Sequence, residues 1–314
     1  MPRPVSAFLL VIIVMSAANA FPLRAAEPGR VLNGHEFMAS EIVRAPFVIS
    51  FFSSQTGGGM AIGLETPYLD LGDESLGTLE GDVAFMKLGF RYQQRFTKWL
   101  AANLAYGGSG RFGVEGQSVM AQGMTGTFGF KYGVKARILQ TEKTIFSGGL
   151  DFAHTHVVGL DPFGYAEQII DEGFDAENNE LVDSGHALSG RLSLLAGWAP
   201  VDWLGLTGYM EAGRGEIPAG DIDFLLGGGA SAGIDLKNLD LIPLGIQFVG
   251  RIDEFTQNGA DISERSYAFG VGLFYTGWND FSIGVETTMN LLKRRGEGND
   301  FEAYLATINL RYWP

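Results

Sequence analysis

Residues 125–138 read TGTFGFKYGVKARI, and the alternation in that stretch decides the architecture. The even positions hold Gly126, Phe128, Phe130, Tyr132, Val134, Ala136 and Ile138; the odd positions hold Thr125, Thr127, Gly129, Lys131, Gly133, Lys135 and Arg137. Successive side chains of a strand point to opposite faces, so this stretch has one apolar face and one polar, basic face. Strands of soluble sheets run about 5–6 residues, whereas a tilted strand crossing a bilayer needs about 9–11. Alternation held from 125 to 138 fits the second case. The pattern recurs along the chain and predicts an all-β protein: a transmembrane, antiparallel, up-and-down β-barrel, oily outside and polar within.

Strands are predicted at 45–54, 82–96, 98–113, 124–139, 144–159, 185–199, 202–216, 222–236, 240–256, 264–278, 280–294 and 300–313. That makes about twelve, an even number, as single-chain bacterial barrels have. Short links (Thr97, Gln140 to Lys143, Pro200-Val201, Lys237 to Leu239, Asn279) alternate with longer ones at 55–81, 114–123, 160–184, 217–221, 257–263 and 295–299. Such alternation is expected when tight turns sit on one side of a membrane and larger loops on the other. Trp99, Trp198, Trp203, Trp278 and Trp313 fall beside the short links or the C-terminus, where an interfacial aromatic belt would lie. Strand parity turns several of them inward, so either local twist reorients them or the belt is partly internal.

Ahead of the barrel, residues 1–20 read as an export signal, with Arg3, an apolar run from Ala7 to Met15, and Ala18-Asn19-Ala20 as a cleavage site. A second cut after Ala26 is also compatible. Residues 21–44 then form an N-terminal segment and 45–314 the barrel. Glu36 to Arg44 could form an amphipathic helix, placed either in the lumen or in the periplasm. The 160–184 loop carries eight carboxylates, and Tyr165 to Ile170 within it could form one short helix. With no cysteine there is no disulfide framework, lipid anchor or thiolate chemistry. A net charge of −14 argues against a nucleic-acid partner.

Tyr304, Ala306, Ile308, Leu310 and Tyr312 alternate to an aromatic finish. This end resembles the terminal strand of Gram-negative outer-membrane β-barrel proteins, a likeness of class that extends over the whole mature chain. Trp313 and Pro314 depart from it by following the in-phase aromatic residue. The resemblance implies an integral outer-membrane protein with periplasmic termini. It also implies recognition by the barrel-assembly machinery and contact with outer-membrane lipids and lipopolysaccharide.

The face opposite the apolar one lines the interior. Its main candidates are Lys87, Arg91, Arg111, Lys131, Lys135, Arg191, Glu211, Arg251, Asp253 and Glu286. Adding Arg95, Arg137, Arg311, Asp151, Asp223 and Asp235 brings the lining to ten basic and six acidic groups. Basic residues dominate the first half of the chain and acidic ones the second. Either the two walls pair across a narrow lumen and close it, or they face each other across water, because unpaired charges are costly in a dry interior. A net positive lining points to passive passage of small polar solutes that are anionic or zwitterionic.

Catalytic patterns are few. Gly229-Ala230-Ser231-Ala232-Gly233 matches a nucleophile elbow but lies inside an alternating stretch, where the required strand-to-helix turn cannot form. His154, His156 and His186 share the lipid-facing parity and fall together when the hairpin around 160–184 is closed. With Arg214 they are candidates for contact with lipid headgroups at the outer rim. Phospholipase- and deacylase-type barrels place catalytic groups there, which makes lipid or lipopolysaccharide hydrolysis the alternative. That face of the neighbouring predicted strands offers Phe128, Phe130, Leu188 and Arg214 but no serine. A closed structural barrel is a third reading. Asp175, Glu177 and Asn179 lack the glycine and closing glutamate of a calcium loop. Neither Gly57-Gly58-Gly59 nor Gly227-Gly228-Gly229 precedes a phosphate-binding helix. No catalytic residue, metal site or cofactor is expected.

Overall fold

The computed structural model describes residues 40–67, 78–114, 124–160, 182–216, 222–256, 263–293 and 301–314. The export signal, the possible helix at 165–170 and the Asp175–Asn179 group lie outside these residues, as does all but the edges of the 160–184 loop.

Twelve strands close into one ring. In order they are β1 (Phe51–Pro67), β2 (Thr78–Arg95), β3 (Leu100–Gly113), β4 (Met124–Gln140), β5 (Thr144–Leu160) and β6 (Val182–Val201). Then follow β7 (Leu204–Glu216), β8 (Ile222–Asp235), β9 (Leu244–Thr256), β10 (Ser263–Tyr275), β11 (Phe281–Lys293) and β12 (Phe301–Tyr312). Each strand pairs antiparallel with its chain neighbours, and β1 closes on β12 from Phe52 opposite Tyr312 to Ile62 opposite Glu302. No sheet edge remains unpaired, the condition for placing strands in a medium that cannot hydrogen-bond to them.

The predicted alternation places the side chains as expected. Even positions of β4 face outward, and Phe128, Phe130, Tyr132, Val134 and Ile138 are all exposed. The same outer girdle includes Met86, Leu192, Leu194 and Met210, each between 62% and 70% exposed. Tyr106 on β3 meets Phe130 on β4 across the girdle, ring centroids 4.9 Å apart.

Three expectations need correction. The first strand is not 45–54 but Phe51–Pro67, so most of the predicted 55–81 loop is strand on both sides. The run Gly57-Gly58-Gly59 falls in that predicted link because it offers no side chains to alternate. It belongs to the seam instead: a Cβ on Gly57 or Gly59 would overlap the carbonyl oxygens of Ala306 and Tyr304. The Pro200-Val201 link is the end of β6, where the register shifts between Trp198 and Val201, and the turn proper is at 202–203. The tryptophans, finally, do not point inward as a group. Trp99, Trp198, Trp203 and Trp278 are exposed, and only Trp313 is buried, lying near the Arg311 guanidinium.

The core sits inside the barrel, and residues before β1 help to build it. Residues 40–50 are not helical. Ile42, Val43, Val48 and Ile49 are β-branched and favour extended backbone, and Pro46 removes a donor and restricts Ala45. Val43 packs with Leu195, Tyr209 and Val249, and Phe47 packs with Ile145 and Ala199. Part of the lumen is therefore dry and packed, which an interior expected to be only wet or ion-paired did not include.

Candidate functional site

Residues 40–50 cross the lumen and touch most of its wall. Gln93 on β2 donates to the carbonyls of Phe47 (2.9 Å) and Ile49 (2.7 Å), Lys135 on β4 to that of Ala45 (2.7 Å), and Ser147 on β5 to that of Pro46 (2.6 Å). The amide of Ser40 donates to Gln247 Oε1 on β9 (3.0 Å). An α-helix would have used these carbonyls internally. Extended chain leaves them free, and the polar lining pairs with them.

Two charged residues of the segment meet the two walls with opposite sign. Arg44 bridges two acids: its Nη2 pairs with Asp151 on β5, and its Nη1 lies 2.7 Å from Glu211 Oε2 on β7. Glu41 bridges two bases, 2.8 Å from Arg91 Nη1 on β2 and 3.0 Å from Arg311 Nη2 on β12. Ser53 Oγ also donates to Glu41 (2.9 Å). Among the described residues the basic and acidic walls pair directly only where they adjoin at β6 and β7, through Arg191 and Glu211. Each is neutralised in part by one residue of the inserted segment.

Glu41 and Arg44 were not among the sequence candidates. The available signal was local: two opposite charges three residues apart in an otherwise apolar run, Glu41 to Ile49, just before a barrel strand. Nothing in that run shows which wall each charge would reach.

The lining candidates all have inward parity, but they divide by environment. Lys87, Arg91, Lys131 and Arg251 border a cavity of about 430 Å³, where Glu41 is the one carboxylate among the described residues. A neighbouring lobe of about 260 Å³ shares Glu41, Arg91, Lys131 and Arg251, and adds Arg44, Asp151, Arg191 and Glu211. Within it Arg191 lies 2.5 Å from Glu211 Oε1. Asp253 borders neither cavity and pairs with Arg251 at 2.5 Å. Arg111 is exposed farther along β3, toward the loop end. Lys135 and Glu286 are corrections to the expected pore lining. Lys135 is buried and donates to the Ala45 carbonyl, while Glu286 is enclosed at 1% exposure.

Outside the barrel, the structure brings the three histidines together. His156 stands opposite His186 in the β5–β6 register. The ring centroids are 4.2 Å apart for His154 and His156, and 6.4 Å apart for each pair involving His186. His156 also stacks on Phe128 at 5.2 Å. Arg214 is outward and exposed on β7. The expectation that this face holds no serine fails, because β6 starts earlier than predicted. Ser184 lies on it opposite Val158, exposed and two residues from His186. Among the described residues no group of three or more His, Asp or Glu could hold a metal ion.

Ser231 of the elbow-like motif is inward on β8, 2.6 Å from Thr207 Oγ1, and accepts from Gln247 Nε2 at 3.1 Å. It is a strand residue in a polar ladder.

No protein-family model matches the chain, and no curated protein sequence does. Among solved structures it is similar to the translocator domain of the autotransporter NalP from Neisseria meningitidis. That match has 10% identity and a TM-score of 0.46, and covers 84% of this chain and 87% of that one. The β domain of the Bordetella autotransporter BrkA gives 10% identity, TM-score 0.47 and coverage of 84% and 99%. The NanC porin gives 10%, 0.45, and 83% and 99%. Likeness at this level conveys no activity.

Proposed function

We propose that this barrel lies in the outer membrane with both termini periplasmic and passively admits small polar solutes, anionic or zwitterionic. Its continuous apolar exterior needs lipid around it. The observation that carries the reading is the larger luminal cavity, where, among the described residues, four cationic side chains face one carboxylate inside a closed ring. A low-dielectric wall concentrates the field of such charges and attracts anions. The crossing segment 40–50 is the element that must yield for a solute to pass.

Planar-bilayer recording tests the proposal. The folded protein should show anion-selective openings, and Lys131→Glu should reduce the anion preference and move the reversal potential toward that of cations. A complete absence of current, from this chain and from a barrel without the segment, would instead favour a closed structural barrel. An unchanged reversal potential in Lys131→Glu would contradict the placement of that lysine on the conducting path.

A second reading is favoured by one observation, the exposed Ser184 beside the histidine cluster on the lipid-facing surface. A serine hydroxyl activated by an imidazole could hydrolyse an acyl ester of a membrane lipid. It requires that purified barrel release fatty acid from phospholipid or lipopolysaccharide, and that Ser184→Ala abolish the release. Intact lipid after prolonged incubation removes it. The remaining role of His154, His156, His186 and Arg214 would then be contact with headgroup phosphates.

A further inference from the structure

We infer that the larger luminal cavity is a binding site for a small hydroxylated organic anion of about monosaccharide size. This deepens the channel reading and rests on it for the site's place on a conducting path.

Three inward positions side by side carry no side chain. Gly89 on β2 stands opposite Gly107 on β3, and Gly107 opposite Gly129 on β4. The resulting trough runs across three strands. On one side it is bordered by the rung Lys87, Ser109 and Thr127, and on the other by the rung Arg91, Ala105 and Lys131. Strand packing does not demand this hollow. A Cβ on Gly107 would meet nothing nearer than 3.5 Å, and one on Gly89 nothing nearer than 4.0 Å. Only Gly129 is forced, since a Cβ there would come within 2.8 Å of the His154 carbonyl oxygen. The space at the other two positions is therefore open, and the cavity of about 430 Å³ falls in the range of small-molecule sites, about 300–1,000 Å³.

The charge around this trough is not balanced from within. Lys87 makes no ion pair with any described residue. Lys131 reaches an acid only at 3.9 Å, and that Asp151 oxygen is already held by Arg44. Arg91 shares Glu41 with Arg311. Three cations thus border a side-chain-free hollow, and among the described residues their paired acids are Glu41, shared with Arg311, and Asp151, 3.9 Å from Lys131 and held by Arg44, so an anion would complete the site. Ser109, Thr127 and Thr155 line the same cavity and can exchange hydrogen bonds with hydroxyl groups of the solute. Both a carboxylate and a phosphate head meet this description.

Calorimetry on the full-length barrel folded in detergent tests the assignment, with gluconate, glucose 6-phosphate, glucose and acetate as probes. Gluconate, glucose 6-phosphate or both should bind, and which of them does identifies the head group. Glucose and acetate should bind at least about tenfold more weakly, the loss expected for one missing charge-assisted bond or its hydroxyl partners. Two variants should remain folded, as judged by circular dichroism, and lose binding by about tenfold or more. One is the pair Lys87→Gln and Lys131→Gln; the other is Gly107→Leu, which fills the trough without changing charge. Binding of neither anion, equal binding of acetate and gluconate, or full binding by folded Gly107→Leu would overturn the site. Anion-selective current without binding overturns the site alone. Binding without current overturns the channel reading and leaves the site.

Discussion

Arg44→Ala is expected to destabilise the folded barrel by about 3–5 kcal/mol, the usual consequence of removing one partner from a buried ion pair. Asp151 and Glu211 are nearly inaccessible, at 1% and 4% side-chain exposure, and Arg44 is the residue that touches both. Glu211 keeps Arg191, whereas Asp151 is left with Lys131 at 3.9 Å. The adjoining lobe can supply water to these carboxylates, which places the effect toward the lower end of the range. Arg44→Lys should fall between, because an ammonium cannot span two carboxylates as a planar guanidinium does. Denaturant unfolding in detergent measures the loss. The same variant should show longer or more frequent openings in bilayers, since the segment loses its ion pairs to β5 and β7 and keeps only Ser147 and apolar packing there. Wild-type stability together with wild-type current in Arg44→Ala would refute the role given to this residue.

Removing the segment altogether should have the larger effect on conduction. A barrel of residues 50–314 retains all twelve strands and their pairing, including the β1–β12 seam. It loses Val43 and Phe47 from the two interior clusters, and the carbonyls that Gln93, Lys135 and Ser147 now engage. These side chains, with Arg91, Arg311, Asp151 and Glu211, would then face water. The expected result is a folded barrel of lower stability with a severalfold higher, nearly continuous conductance. Current no greater than that of the full chain would show that residues 40–50 do not obstruct the path.

Much of this is legible in the sequence. Period-two patterning works residue by residue: a side chain in a barrel faces lipid or lumen, and the two media demand opposite chemistry. Lys131 and Lys135 could therefore be placed inside, and Phe128 and Phe130 outside, from parity alone. The same logic put His154, His156 and His186 on one outward patch, and pairing across β5 and β6 bore that out. It failed where parity carried no information. Gly57 to Gly59 has no side chains to alternate, so a strand read as a loop. The start of β6 carries no clear alternating signal, so the pattern begins at 185 and leaves out Ser184.

The sequence by itself determined the barrel, its strand number and the face of residues in the clearly alternating stretches, because those follow from local chemistry repeated at a spacing of two. Tertiary structure alone decided where residues 40–50 go and what the luminal charges do. Arg44 meets Asp151 and Glu211 across 107 and 167 positions of chain, and Glu41 meets Arg311 across 270. Contacts at such separations depend on how a closed ring brings distant strands around one interior, and no local pattern encodes them. The trough at Gly89, Gly107 and Gly129 is of the same kind: three unrelated glycines become one hollow only when register aligns them.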